Sequence, residues 1–164
     1  MAIDHSLTYK QFKLRNIPHF LRKRELLRVI DTAPKNTRVY SDFGCSNGYL
    51  TNLFAQSLSP QKTFGFDHSN NIEVARKTYP NITFDHVNLN QASQIDDLAD
   101  VITCFETLEH VGDSLSAIQT LRNSCSDHSV VLISVPIEIG LVGLIKYAIK
   151  RLVYRYPLEM NCRD

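Results

Sequence analysis

What this 164-residue chain lacks narrows its class quickly. Its four cysteines, Cys45, Cys104, Cys125 and Cys162, contain no Cys-x-x-Cys pair. Nothing therefore reads as a disulfide framework, and a reduced, cytoplasmic chain is expected. The first thirty residues have no apolar core of the kind a secretory leader needs. The longest uncharged apolar run near the C-terminus, residues 139–145, is too short to cross a bilayer. Low-complexity tracts and internal repeats are absent, and no basic patch is interleaved with aromatics as in a nucleic-acid module. With 43% hydrophobic residues, the chain reads instead as one ordered globular domain with a real core.

Charge is scarce in sum but unevenly placed. Residues 1–38 carry nine Lys/Arg against three Asp/Glu, a net +6. Residues 39–138 carry four against twelve, a net −8, and residues 139–164 carry five against two, a net +3. An acidic body between two basic ends suits an anionic partner such as a phospholipid or phosphorylated compound. Equally, the cations between Lys10 and Arg28 can simply coat the outer face of N-terminal helices.

The most informative stretch is Val39-Tyr40-Ser41-Asp42-Phe43-Gly44-Cys45-Ser46-Asn47-Gly48-Tyr49-Leu50. A strand-like run ends in an acid, a small-residue loop follows, and Leu50, Leu53 and Phe54 open a helix. Glycines at 44 and 48 let the backbone turn sharply and approach a ligand. The helix start directs free N–H groups and a positive dipole end into the loop. Backbone donors beside the Asp42 carboxylate suit a ligand bearing both anionic and cationic or hydroxyl groups. The dinucleotide fingerprint wants glycine at the first, third and sixth positions, where this chain has Gly44, Ser46 and Tyr49, so only one of three fits. Without further signals, a tight strand-to-helix turn that binds nothing would explain the loop as well.

Downstream, Thr63-Phe64-Gly65-Phe66-Asp67 reads as a second buried strand, with Ser69 positioned to cap the next helix. Asp67, 19 residues beyond Gly48, stands where a carboxylate accepts ribose hydroxyls. A third strand, Ile82-Thr83-Phe84, leads to Asn88, whose amide oxygen can accept a hydrogen bond. A fourth, residues 100–105, runs into Glu106-Thr107-Leu108-Glu109-His110-Val111, and a fifth covers residues 130–135.

The spacing Asp-x-Gly-x-Ser-x-Gly resembles motif I of the class I S-adenosylmethionine-dependent methyltransferases, with Ser46 replacing the middle glycine. The Glu-x-x-Glu-His-Val segment resembles that of ubiquinone-pathway O-methyltransferases. Together the likenesses run in order over about residues 37–138. They imply an α/β Rossmann-like fold with a parallel sheet ordered 3-2-1-4-5 and helices on both faces. Residues 1–36 would form N-terminal basic helices, 37–138 the donor-binding core, and 139–164 a basic, apolar C-terminal helix acting as packing element, lid or membrane-surface contact. No two strands fit after residue 135 to complete the sheet. The chain would then be a fragment, a short member of the family, or one whose partner subunit covers the exposed sheet edge, as in a homodimer.

The resemblance also implies S-adenosylmethionine as cofactor. Its pocket would use Asp42, Gly44, Cys45, Ser46 and Gly48 on the first loop, Asp67 and His68 on the second, Asn88 and Leu89 on the third, and Phe105 on the fourth. The acceptor would be a small molecule, anionic or lipid-linked. Methyl transfer from a sulfonium is an in-line displacement that positioning alone can accelerate, and a base is needed only for an acceptor that loses a proton. His110 is the candidate base. On a helix, Glu106, Glu109 and His110 would share one side, where they would order the loop or, with a fourth ligand, hold a divalent metal. A rival reading is a catalytically inactive, methyltransferase-like binding module, suggested by Ser46, Asn88 and the missing strands.

Overall fold

A computed structural model describes residues 17–135. The helix expected in residues 139–164 and everything before residue 17 lie outside the described residues. Five strands form one parallel sheet: β1 Val39–Phe43, β2 Lys62–Asp67, β3 Thr83–His86, β4 Ala99–Phe105 and β5 Cys125–Ser134. Their order is β3-β2-β1-β4-β5, as the sequence implied. Among the described residues, four α-helices flank it: α1 Ile17–Ile30, α2 Tyr49–Leu58, α3 Asn71–Thr78 and α4 Ser114–Asn123. The strand order runs outward in opposite senses on the two sides of β1, so the carboxyl ends of β1, β2 and β4 open onto a shared crevice.

Period-two alternation sorts the sheet's side chains between two cores. Val39, Phe43, Phe66, Ile102 and Cys104 pack under α4 through Ala117 and Leu121. On the other face, Tyr40 and Val101 meet Leu26 and Ile30 of α1 and Phe54 and Leu58 of α2. Of the basic residues in α1, Arg24 and Arg28 are exposed and pair with Glu25, whereas Arg22, also exposed, reaches across to Glu106 at 3.2 Å. The solvated-coat reading thus fits part of α1 only.

β5 begins five residues before the expected position. Its register slips between Ala99 and Val101, so the polar Ser126–Ser129 stretch bulges yet stays tied down. Ser129 donates to the Ala99 carbonyl at 2.6 Å, and Ser126 to Asp100 at 3.2 Å. One face of β5 exposes Val131 and Ile133, and Val135 just beyond the strand is exposed too. Among the described residues, no helix is long and apolar enough to cross a membrane.

Gly65 holds β2 close to its neighbours. A methyl group there would lie 2.5 Å from two ring carbons of Phe84 and 3.1 Å from the Cys45 sulfur. Gly65→Ala is therefore expected to cost about 1–3 kcal/mol through overpacking. Urea unfolding checks this; an unchanged midpoint would mean that the Phe84 ring slides aside freely.

Candidate functional site

The crevice is a cavity of about 490 Å³, within the range that suits a small-molecule ligand. Its wall brings together Asp42, Gly44, Cys45, Ser46, Asp67, His68, Asn88, Leu89, Phe105 and His110, drawn from four strand ends. Gly48 lies outside that wall. It caps α2 at φ 74°, and a Cβ there would strike the Phe84 ring of β3 at 2.6 Å and approach Ala75 of α3 at 3.1 Å, so its bareness serves close packing of the start of α2 on β3 and α3.

Asp42 is the least ordinary residue of the site. Pairing of β1 with β4 sets Asp42 opposite Thr103, and the same sheet face carries Tyr40. Thr103 donates to Asp42 Oδ1 at 2.7 Å, while Thr51 of α2 donates to Oδ2 at 2.5 Å. The carboxylate is 5% exposed. No cationic side chain among the described residues pairs with it. Burial raises its ionisation point from 3.8 to about 6 against the pull of both hydroxyls. A carboxyl raised in this way supports folding fully only below about pH 4, and that support is lost as pH rises through about 6. At neutral pH the cavity floor therefore holds a buried negative charge that a ligand cation would relieve.

Asp67 closes the glycine loop. Its Oδ2 accepts the Ser46 N–H at 2.8 Å and its Oδ1 the Ser69 N–H at 2.7 Å. Ser69 is thus not the cap expected for α3; Asn70 takes the cap position and makes no side-chain cap bond. Gly44 and Cys45 donate to the Phe66 carbonyl at 2.7 and 3.1 Å, binding the loop to the end of β2. Ser46 adopts φ 49°, a left-handed conformation that glycine favours. Its hydroxyl accepts from Asn71 at 3.1 Å, which compensates in part. Burial pushes the Cys45 thiol far above its usual range and Cys104 up to about 12, with Asp42 adding to both, so neither supplies a thiolate.

The far wall differs more from expectation. Asn88 faces the cavity, but its Oδ1 already accepts from the backbone and side chain of Asn90 at 3.0 and 3.1 Å. Glu106, Glu109 and His110 do not lie on one helical face. Only Leu108–His110 form a turn, of 3₁₀ type, and Glu106 precedes it at φ 53°. Glu106 instead joins Arg22 and accepts from Ser134 at 3.1 Å. His110 is 79% exposed, with Nε2 4.0 Å from Glu109. Among the described residues, no three His, Cys, Asp or Glu side chains are grouped to hold a metal.

Helix α1 contributes His19, Arg22 and Leu26 to the cavity, which the sequence did not signal. Asn90 was missed too: its Oδ1 accepts the Gly112 and Asp113 N–H groups at 2.6 and 3.1 Å, tying two rim loops together.

Comparison with known proteins agrees with this geometry. Ubiquinone biosynthesis O-methyltransferases of Haemophilus ducreyi and Actinobacillus pleuropneumoniae are 30% and 33% identical over 103 residues, covering 57% of this chain and 43% of theirs. The chain spans about half the length, or less, of the curated relatives it matches. In fold it resembles CalS10, an amino pentose methyltransferase from Micromonospora echinaspora solved with S-adenosylmethionine bound. That match has a TM-score of 0.61 at 15% identity over 77% of this chain and 58% of the other. A family model for a methyltransferase domain matches residues 14–161. With the parallel 3-2-1-4-5 sheet and an acid-flanked glycine loop at its switch point, the chain belongs to the class I S-adenosylmethionine-dependent methyltransferases.

Proposed function

We propose that this chain binds S-adenosylmethionine in the cavity and passes its methyl group to a small-molecule or lipid-linked acceptor. The observation that carries this reading is Asp42, a buried carboxylate facing the cavity with no cationic partner among the described residues. The methionine end of the donor offers two cations, an ammonium and a sulfonium, and either relieves that buried charge. Each Asp67 oxygen has spent one lone pair on a loop N–H and keeps capacity for a ribose hydroxyl. Gly44, Cys45 and Ser46 bring backbone against the donor. His68, Asn88, Leu89 and Phe105 enclose its nucleoside, the Asn88 oxygen being shared with Asn90.

Transfer is an in-line displacement: the acceptor atom forms a bond to the methyl carbon as the carbon–sulfur bond breaks and its electrons return to sulfur. An acceptor hydroxyl or amine also gives up a proton, for which His110 on the cavity wall is the candidate base. The small-molecule and lipid-linked classes are supported by what the named relatives act on, a ubiquinone precursor pathway and an amino pentose. Free thiols at Cys45, Cys104 and Cys125 suit a cytoplasmic setting.

Calorimetry with S-adenosylmethionine and with its demethylated product tests the reading. Asp67→Ala is expected to weaken binding by about 1–3 kcal/mol, from lost hydroxyl pairing and a loosened Ser46 anchor. An intact chain that binds neither compound sinks the proposal. Donor binding without transfer to any acceptor tried would favour the inactive binding module instead.

A further inference from the structure

Behind Asp42 lies a layer of buried hydroxyls that do not themselves line the cavity. Thr51, Thr103 and Tyr40 are each fully buried. Thr51 comes from the first turn of α2, Thr103 from the middle of β4, and Tyr40 from the strand that carries Asp42 itself. Two elements, α2 and β4, thus converge on the carboxylate that β1 carries, and Tyr40 of β1 stands behind one of them.

Proton accounting gives the layer a direction. An ionised carboxylate only accepts hydrogen bonds, so the Thr51 and Thr103 protons both point at Asp42. Thr103 has then spent its single proton, and the contact of 2.7 Å between its oxygen and the Tyr40 hydroxyl must be donated by Tyr40. Burial raises the Tyr40 ionisation point well above its usual range, so that donor keeps its proton. The result is a one-way chain, Tyr40 to Thr103 to Asp42, joined by a second arm from Thr51. Successive bonds of this kind polarise one another toward the anion.

Valine is nearly the same shape as threonine and would fill both threonine positions without a buried polar atom. A core built only for packing has no need of a hydroxyl at either place. We propose that Thr51 and Thr103, with Tyr40 behind Thr103, are positioning residues that keep Asp42 ionised and aimed into the cavity for the cationic end of the methyl donor.

The inference rests on the donor reading above for its ligand, but not for its effect on Asp42. The other titratable groups facing Asp42 are Asp67 at the end of β2, Cys45 on the glycine loop, Cys104 on β4 and Tyr40. The two thiols and the phenol stay neutral in the working range, and Asp67 opposes ionisation of Asp42. Among the described residues, the Thr51 and Thr103 hydroxyls are what favours it.

The test follows the Asp42 carboxyl by carbon-13 NMR in the unliganded full chain, together with donor affinity by calorimetry between pH 5 and 9. In the unsubstituted chain Asp42 should titrate near pH 6, and donor affinity should fall about tenfold per pH unit below that point. Asp42→Asn should remove the step, which assigns it to Asp42 rather than to Asp67. Thr51→Val and Thr103→Val should each move the carboxyl titration and the affinity step upward by about 1–2 pH units, the equivalent of one hydrogen bond to a charged group. Above the shifted step, affinities should converge to within about threefold. Tyr40→Phe should move both in the same direction but less, and Thr51→Ser and Thr103→Ser should restore the original values.

An Asp42 titration unmoved by the valine variants overturns the proposal. So does an affinity loss of the same factor at every pH, which is the signature of a purely structural role. Tyr40→Phe, which removes a single oxygen, decides the matter if the valine variants do not fold. A chain that binds no donor at any pH refutes the donor reading, while the carbon-13 titration still decides whether the hydroxyls set the charge of Asp42.

Discussion

Gly44→Ala is expected to lower stability by about 2–5 kcal/mol and to weaken donor binding about 10²-fold in the molecules that remain folded. Two costs add. Gly44 sits at φ 83°, where a Cβ costs roughly 1–2 kcal/mol. That Cβ would also overlap the Thr107 side chain, falling on its hydroxyl and 2.6 Å from Cγ2, for about 1–3 kcal/mol of overpacking. Thr107 cannot swing away cheaply, because its hydroxyl donates to the Phe105 carbonyl at 3.0 Å. The loop itself is held by the Gly44 and Cys45 bonds to Phe66, so relief must come from displacing backbone that faces the ligand. A displacement near 1 Å in a positioning group commonly costs about 10²-fold. Urea unfolding and calorimetry on the same sample measure the two effects. Unchanged unfolding together with full-strength donor binding would show that Thr107 is free to move and that the loop does not hold the donor.

Strands β1, β2 and β4 were legible in the sequence because a parallel sheet buries both faces, leaving apolar runs that end in acids. Every residue of β1 is buried, including Asp42. The start of β5 was not legible, because Ser126-Asp127-His128-Ser129 is polar and reads as a loop. Its bonds to Ala99 and Asp100 arise from a partner strand nearly thirty residues away, which no local pattern encodes.

The site shows the same division. The glycine loop and the acids at strand ends could be placed because strand order alone brings the ends of β1, β2 and β4 together. The contribution of α1 could not, since a helix's amphipathic pattern gives its buried face but not where it docks. Thr51 and Thr103 were invisible for a different reason: threonine is ordinary in a strand or a helix turn, and only the Asp42–Thr103 register makes it a donor. The grouping of Glu106 with Glu109 and His110 failed because i, i+3, i+4 spacing means a shared face only inside an α-helix. Here the backbone leaves β4 through a left-handed Glu106, whose carboxylate is drawn off to Arg22 and Ser134 before a single 3₁₀ turn begins.

His110→Ala is expected to reduce turnover by about 10²–10⁴-fold with donor affinity nearly unchanged, the loss typical of removing a general base. The imidazole lies on the cavity wall at the carboxyl end of β4 and is 79% exposed, so it can turn toward an arriving acceptor. It does not anchor the fold: among the described residues its one ion-pair partner, Glu109, stands 4.0 Å away, and neither residue is buried. Thermal unfolding of His110→Ala should therefore match the unsubstituted chain, which separates a chemical role from a structural one. With Glu106 committed to Arg22, the three side chains are not assembled around a metal, so chelators are expected to leave methyl transfer unchanged. Three results would each overturn this assignment. Full turnover by His110→Ala would mean that positioning of donor and acceptor suffices. Chelator-sensitive activity restored by a divalent cation would return Glu109 and His110 to metal binding. A fall in unfolding temperature on changing Glu109, larger than any loss of turnover per folded molecule, would make the pair a brace for the loop.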